Sequence, residues 1–533
     1  MKLRFTRLNQ INWFYIASLI FAIALPFSNA LISVSSALLI VASIAHYKNF
    51  NLKSSLKDRR LLLFLMGIYA VYLLGLVFTN DWKWAAYDLR KNMAYFVIPL
   101  AFLLAPRLSI IQYKRILYVF AFSVVLSAII TLMQFYLNED NLLVNAQKYG
   151  FMHHIRFSLQ IDFSIFILTY LLYEHRESKN RYLKIGIVSS ILILATFLIW
   201  HQSLTGIITF IVTLVVLLVI WMVKQPKRQT RMVVGIILFA IMIIPVAYLY
   251  YAIDRFYSVD VYEPEELEKY TSQGNLYKHN TTNPAIENGH YVWLYVCKKE
   301  LEKEWNKRST IKYNSTDKFG YSIKFTLIRY LTSKNLRKDA EGVKALSDSD
   351  IKNIENGVSN YILAGKSISL YPRIYVSIWE LDSYFRTGNA NHRSLAQRIE
   401  YSKAAFSIIQ ENFWLGVGTG NWKKSYRDYY IKSESKMAPA RYGNVHNQYL
   451  NYMVKFGIVG LILILFFVFY PVIKSKAYRN QLFLLFLIIM FVGNFGDANF
   501  ETHTGSNFFV FFYCLFMLPK SDQKFFPVMN NFL

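Results

Sequence analysis

Apolar runs broken by short clusters of charge set the rhythm of this chain. A helix needs about 20 apolar residues to cross a hydrocarbon core of about 30 Å. Runs of that order recur from end to end. Twelve are expected to span, near 12–28, 30–46, 61–79, 92–105, 116–136, 157–173, 185–200, 204–223, 232–252, 449–472, 481–497 and 505–519. The pattern predicts an all-α polytopic membrane protein with about 12 transmembrane helices. The first run has a basic start. Yet Pro26-Phe27-Ser28-Asn29 turns it into a second apolar run with no small-residue cleavage site, so it reads as a span and not as a removed leader.

The pattern changes between the ninth and tenth runs. Nine spans fill 1–252, a large polar segment covers 253–448, and 449–533 holds three spans and a tail expected in the cytoplasm. Within the polar segment, Ala285–Ser309 reads as an amphipathic helix through Val292, Leu294, Val296, Leu301 and Trp305. Ser347-Asp348-Ser349-Asp350 opens a second helix with carboxylates at its positive end. Pro372 suits the first turn of a third, through Trp379 to Tyr384. Ser394 and Gln397 have capping-box spacing ahead of a fourth, over 395–411. Strand signals are weak. The segment is expected to be a large, mostly helical extracytoplasmic domain between helices 9 and 10, with a modest core, resting on the membrane helices.

Lysine and arginine orient the chain, because cytoplasmic loops carry them in excess. With the amino terminus inside, the seven short inner segments hold 24. Among them are Lys48, Lys53, Lys57, Arg59 and Arg60 in one loop, and Lys224, Lys227, Arg228 and Arg231 in another. The five short outer loops hold five: Lys83, Arg90, Lys91, Lys148 and Arg156. Both termini are therefore expected in the cytoplasm. The formal charge of +26 does not point to nucleic acid, since most of it lies in inner loops, where it suits an anionic leaflet. Residues 253–450 carry 29 basic and 22 acidic residues, a surplus that favours an anionic substrate outside. The spans look nearly free of central charge, which counts against a transporter. Cys297 and Cys514 fall in different regions and read as two buried thiols.

Several residues carry candidate chemistry. His446 lies at the outer boundary where the tenth span begins, among Asn444, Asn447 and Gln448. It is either a wet interfacial histidine or a general base suited to neutral pH. Arg156, in His153-His154-Ile155-Arg156, opens the sixth span and either snorkels to headgroups or binds an anion. No third ligand is placed for a metal, and none is expected. Arg373 and Arg398 lie on outer helices; if they meet Arg156 they make a fork for phosphate oxygens. Gly416, Gly418 and Gly420 follow a helix and not a strand, so they suit a hinge or close-approach loop better than a dinucleotide site. Asp348-Ser349-Asp350 is better explained by helix capping than by metal binding. Glu501, in the turn between the last two spans, either partners an arginine, orients His446, or is a solvated loop acid.

Three stretches together resemble the O-antigen ligase and O-antigen polymerase family. His446-Asn447-Gln448-Tyr449-Leu450 through Phe456-Gly457-Ile458-Val459-Gly460 resembles its histidine motif. Arg398-Ile399-Glu400-Tyr401 through Gly416-Val417-Gly418-Thr419-Gly420 resembles the arginine-led helix and glycine turn before it. Gln202-Ser203-Leu204-Thr205-Gly206 resembles the family's Ser-Arg-x-Gly stretch, with Leu204 where the arginine usually stands. Tyr401 replaces a usual tryptophan and Phe413 a usual proline. The specific likeness covers roughly 395–470, and residues 253–390 match no motif of the family.

The resemblance implies an inner-membrane glycosyltransferase. It would move a glycan from a polyprenyl pyrophosphate to an acceptor hydroxyl on the outer face, without a metal or other cofactor and with inversion. It makes His446 the base and Arg156 and Arg398 the pyrophosphate ligands, with Arg373 in reserve. Asn447, Glu501 and the three glycines would support them. Tyr371, Tyr375, Trp379, Trp422, Tyr426, Tyr429 and Tyr430 either stack on sugars or pack a core. A ligase, a polymerase and a protein O-oligosaccharyltransferase all fit. A lipid or glycan transporter and a non-catalytic scaffold are the rivals from other classes.

Overall fold

The computed structural model describes residues 12–45, 59–137, 149–317, 320–364 and 369–518. Lys48, Lys53, Lys57 and Lys148 lie outside the described residues. The described chain is mostly helical. Its α-helices run α1 (Trp13–Ala24), α2 (Asn29–Ala45), α3 (Leu62–Leu74), α4 (Trp82–Lys91), α5 (Ala94–Leu104), α6 (Ile110–Leu137), α7 (His154–Glu174), α8 (Arg181–Trp200), α9 (Leu204–Lys224) and α10 (Arg228–Tyr257). They continue as α11 (Lys298–Arg308), α12 (Ile323–Ser333), α13 (Ala340–Lys344), α14 (Asp348–Glu355), α15 (Tyr371–Thr387), α16 (Ser394–Glu411), α17 (Trp422–Lys432), α18 (Gln448–Ser475), α19 (Gln481–Gly496) and α20 (His503–Met517). Each of the 12 apolar runs falls on one of these helices. Six of them, α6 to α10 and α18, are long and apolar enough to cross a membrane; α1, α2 and α19 are shorter apolar helices.

The described residues divide into two compact units. The first holds the chain up to Tyr136, the helices up to Phe239, and everything from Ser383 onward. Its core is aromatic and centres on α20, whose residues from Thr504 to Phe516 are all buried. Phe512 stands edge-on to Phe120 at 4.7 Å and to Phe163 at 5.1 Å. Between helices in lipid such packing is the main attraction, since the tails are as apolar as the side chains. Residues 383–447, read from the sequence as part of the loop domain, pack within this unit. Ala404, Ala405 and Ile408 of α16 and Tyr426 and Tyr430 of α17 form one cluster with Val454 of α18.

The second unit holds Ala240–Asp382. Its core is more than modest: fully buried Trp305 packs with Leu327, Leu331, Val343 and Ile354. The expected helix over Ala285–Ser309 is corrected here. Ile286–Glu287 (β1) and His290–Tyr291 (β2) form an antiparallel hairpin, and only Lys298–Arg308 is helical. Asn288 and Gly289, both with positive φ, supply the two-residue turn that such hairpins prefer. The helix expected at Ser347 is present as α14, closed by a capping box between Ser347 and Asp350. Asp348 pairs with Arg308, and Asp350 with Lys334 at 2.7 Å, so both acids of Asp348-Ser349-Asp350 serve the helix start. The other expected capping box does not form: α16 begins at Ser394 itself, with Arg393 in the cap position. Cys297 and Cys514 are buried free thiols.

Candidate active site

The site is built on the turn Gly496–Asp497 that follows α19. Two helix starts meet it. Asn447 caps α18, its side chain accepting the Tyr449 and Leu450 amides at 3.0 and 3.1 Å. The same side chain donates to the Phe495 carbonyl at 3.3 Å, tying α18 to the end of α19. His446 stands one residue before that cap. Its Nδ1 lies 3.0 Å from Asp497 Oδ1, while 43% of its side chain stays exposed. The start of α7 approaches the same carboxylate, with Arg156 Nη2 2.7 Å from Asp497 Oδ2. Arg398 of α16 donates to the Gly496 carbonyl at 2.7 Å. The Tyr401 ring lies 5.9 Å from the His446 ring, its hydroxyl bonded to the Arg441 carbonyl.

Asp497 therefore organises the cluster. Burial would raise its carboxyl, but the His446 hydrogen bond and the Arg156 charge outweigh that and hold it well below the usual carboxylate range. An ionised carboxylate on Nδ1 leaves that nitrogen the proton and His446 Nε2 free to accept one. His153 caps α7 through Nδ1, which accepts the Ile155 amide. Partial burial and then the Arg156 charge push its imidazole down to about 4, so it is neutral at ordinary pH. Arg156 Nε is buried and has no hydrogen-bond partner among the described residues.

The expected role of Glu501 is corrected by this geometry. Among the described residues it reaches neither an arginine nor His446. Tyr72 and Asn451 donate to it, and Lys455 Nζ lies 3.0 Å from it. Lys455 also lies 3.0 Å from Asp88, which accepts the Trp422 indole N–H at 2.9 Å. All three charges are buried. The near-absence of charge in the spans is corrected too. Lys455 lies within α18, and Asp162 is fully buried in α7 with no hydrogen-bond partner for either oxygen among the described residues. Lys455 is the one basic residue that falls in neither an inner loop, an outer loop nor the large polar segment. That signal was available in the sequence.

The glycine turn meets a break in α18. Gly457 takes φ 63, so the helix interrupts its own ladder there. The orphaned groups find partners in the turn: Val417 donates to the Val454 carbonyl at 2.9 Å and Gly418 to Lys455 at 2.8 Å. In return Ile458 donates to the Phe413 carbonyl at 2.8 Å. Backbone at membrane depth must be paired within the protein. Gly416 packs on the backbone of Lys455 and Phe456, Gly418 on Gly75 and Phe78, and Gly420 on α4, where a Cβ would collide at each. Gly206 packs on Ser158, whose hydroxyl accepts from Ser203. Arg373 belongs to the second unit. Of the expected sugar-stacking residues, Tyr371, Tyr375, Tyr426 and Tyr430 are buried core, and Trp422 spends its N–H on Asp88.

The model of a family described as O-antigen ligase matches residues 346–465. Over this stretch the chain is similar to the O-antigen ligase family. The O-antigen ligase match contains Arg398, the glycine turn, His446 and the broken helix at Gly457. Arg156 and Asp497 lie outside it, and only the structure joins them to His446. No curated protein matches the chain.

Proposed function

We propose that this protein is an O-antigen ligase-like glycosyltransferase of the bacterial inner membrane. It spans about 12 times, keeps both termini in the cytoplasm, and works on the outer face. It moves a glycan from a polyprenyl pyrophosphate carrier to a hydroxyl of a lipid-core, glycan or protein acceptor. The observation that carries this reading is the Asp497 carboxylate, shared between Arg156 and His446, the latter of which lies within the match to O-antigen ligases.

The chemistry follows from the groups present. His446 Nε2 takes the acceptor hydroxyl's proton as its oxygen attacks the anomeric carbon. The bond from that carbon to the pyrophosphate oxygen breaks, and the leaving group gains charge. Arg156, through its unpartnered Nε, and Arg398 stabilise that charge, with Arg373 a third candidate. Attack opposite the leaving group inverts the centre. The starts of α7 and α18 add their positive dipole ends on the same side. Polymerisation of repeat units and transfer to protein use the same chemistry.

The test is a gel of surface glycans from a strain lacking the protein. Long chains held on the lipid carrier with none on the acceptor mark a ligase. Single repeat units on the acceptor mark a polymerase. An unchanged pattern would count against both.

A further inference from the structure

A pocket of about 400 Å³ lies wholly within the second unit, between the end of α10, the turn after α12 and the start of α15. Clefts of this size hold small ligands. It shares no residue with the Asp497 cluster, and Arg255, His290, Lys334 and Asn335 on its wall fall outside the family match. Three basic side chains line it, and two are already matched. Lys334 pairs with Asp350 at 2.7 Å, and His290 with Asp260 at 2.5 Å. Arg255, in the last turn of α10, makes no ion pair with any described residue. Its guanidinium lies over the Tyr371 ring, 4.3 Å from the centroid, which fixes its plane and leaves its N–H edge for a forked contact. Two further groups on the wall are open. Asn335, exposed just past α12 with a left-handed φ of 54, carries an amide that can both donate and accept. Tyr361 keeps 43% of its surface exposed.

We infer that this pocket binds an acidic sugar, its carboxylate on Arg255, its hydroxyls on the Asn335 amide and its ring against Tyr361. Each group on the wall narrows the occupant. One unmatched cation calls for one carboxylate. A bare anion would leave the amide and the aromatic face unused. A neutral sugar would leave the guanidinium unmatched. The basic surplus of residues 253–450 draws the same kind of ligand. Binding here needs neither His446 nor a lipid carrier, so it stands apart from the transfer reaction.

Titration of the full-length protein in detergent tests it, with methyl glucuronide against methyl glucoside, which differ only in the carboxylate at C6. Sodium acetate and inorganic phosphate are the plain-anion controls. The glucuronide should bind at least about tenfold more tightly than the glucoside or either anion, the usual worth of a hydrogen bond to a charged group. Arg255→Gln should remove the preference for the glucuronide. Asn335→Asp sits at an exposed position, keeps the side chain's size and suits left-handed backbone. It should keep the melting temperature and weaken glucuronide binding by a similar factor, through repulsion of the ligand's carboxylate. Equal affinity for the two sugars overturns the inference, as does no binding of the glucuronide. Acetate or phosphate bound as tightly as the glucuronide overturns it too, leaving a plain anion site. So does a preference unchanged in folded Asn335→Asp, whether or not Arg255→Gln folds.

Discussion

Asp497 sets the surroundings of His446. A lone histidine at a helix mouth is ordinary; one whose Nδ1 faces an ionised, buried carboxylate is held in one tautomer with Nε2 free. The sequence pointed to His446, Arg156 and Arg398, because each is a polar residue at the outer edge of an apolar run or on the helix leading to one. It gave the partner's role to Glu501 and none to Asp497, four residues away on the same turn, since a short 3₁₀ segment decides which carboxylate faces which helix. Asp497→Asn should lower transfer and also stability, because it leaves Arg156 facing no carboxylate; removing one partner of a buried pair costs roughly 3–5 kcal/mol. The sign with pH follows. Folding holds Asp497 below its ordinary 3.8, so its contribution is complete above that pH and is lost only as the pH falls below it. Melting curves of wild type and Asp497→Asn in detergent should differ at neutral pH and converge only in that acid range. Lys455→Met would leave Asp88 and Glu501 without their shared cation, at a similar cost of about 3–5 kcal/mol. A melting temperature unchanged in Lys455→Met would remove that ion group from the account.

The decisive element is a broken helix and the glycine turn that repairs it. The sequence showed the glycines and their likeness to a family pattern, but not that they pair backbone to backbone with α18. Such pairing depends on which carbonyls a break leaves open, and no side-chain pattern records that. Gly457 has a left-handed φ of 63, and a Cβ there would run into the Trp414 carbonyl. Gly457→Ala should therefore cost more than the roughly 1–2 kcal/mol of left-handed backbone alone, and should lower the melting temperature. Gly186→Ala, in α8 with open space around it, is the control. It should be neutral or stabilise by up to about 1 kcal/mol. The hairpin at Asn288-Gly289 shows a different limit. Val292, Leu294 and Val296 recur every second residue, the period of a strand, yet Leu301 and Trp305 made the longer run look helical. The Asn-Gly pair was the stronger signal.

At the scale of the whole molecule, each of the 12 apolar runs lies on a helix, because burial in lipid or in an aromatic core both demand apolar side chains, while polar helices such as α4 and α17 left no such mark. Length alone leaves several runs short of a full crossing, as α1 and α5 are. The orientation is a claim about the charge bias and can be tested directly. Lys227→Cys and Glu434→Cys both place a thiol at an exposed position. A membrane-impermeant maleimide should label the second in intact spheroplasts and the first only after permeabilisation. The reverse pattern would invert the topology and put His446 on the wrong face for a lipid-linked glycan. The most direct test of the central claim is transfer by the purified protein in proteoliposomes, supplied with a polyprenyl pyrophosphate-linked glycan and a hydroxyl acceptor. Wild type should release polyprenyl pyrophosphate in step with glycan transfer, and folded His446→Ala should be slower by about 10²–10⁴, the usual worth of a general base. Transfer at the wild-type rate by folded His446→Ala would contradict the account.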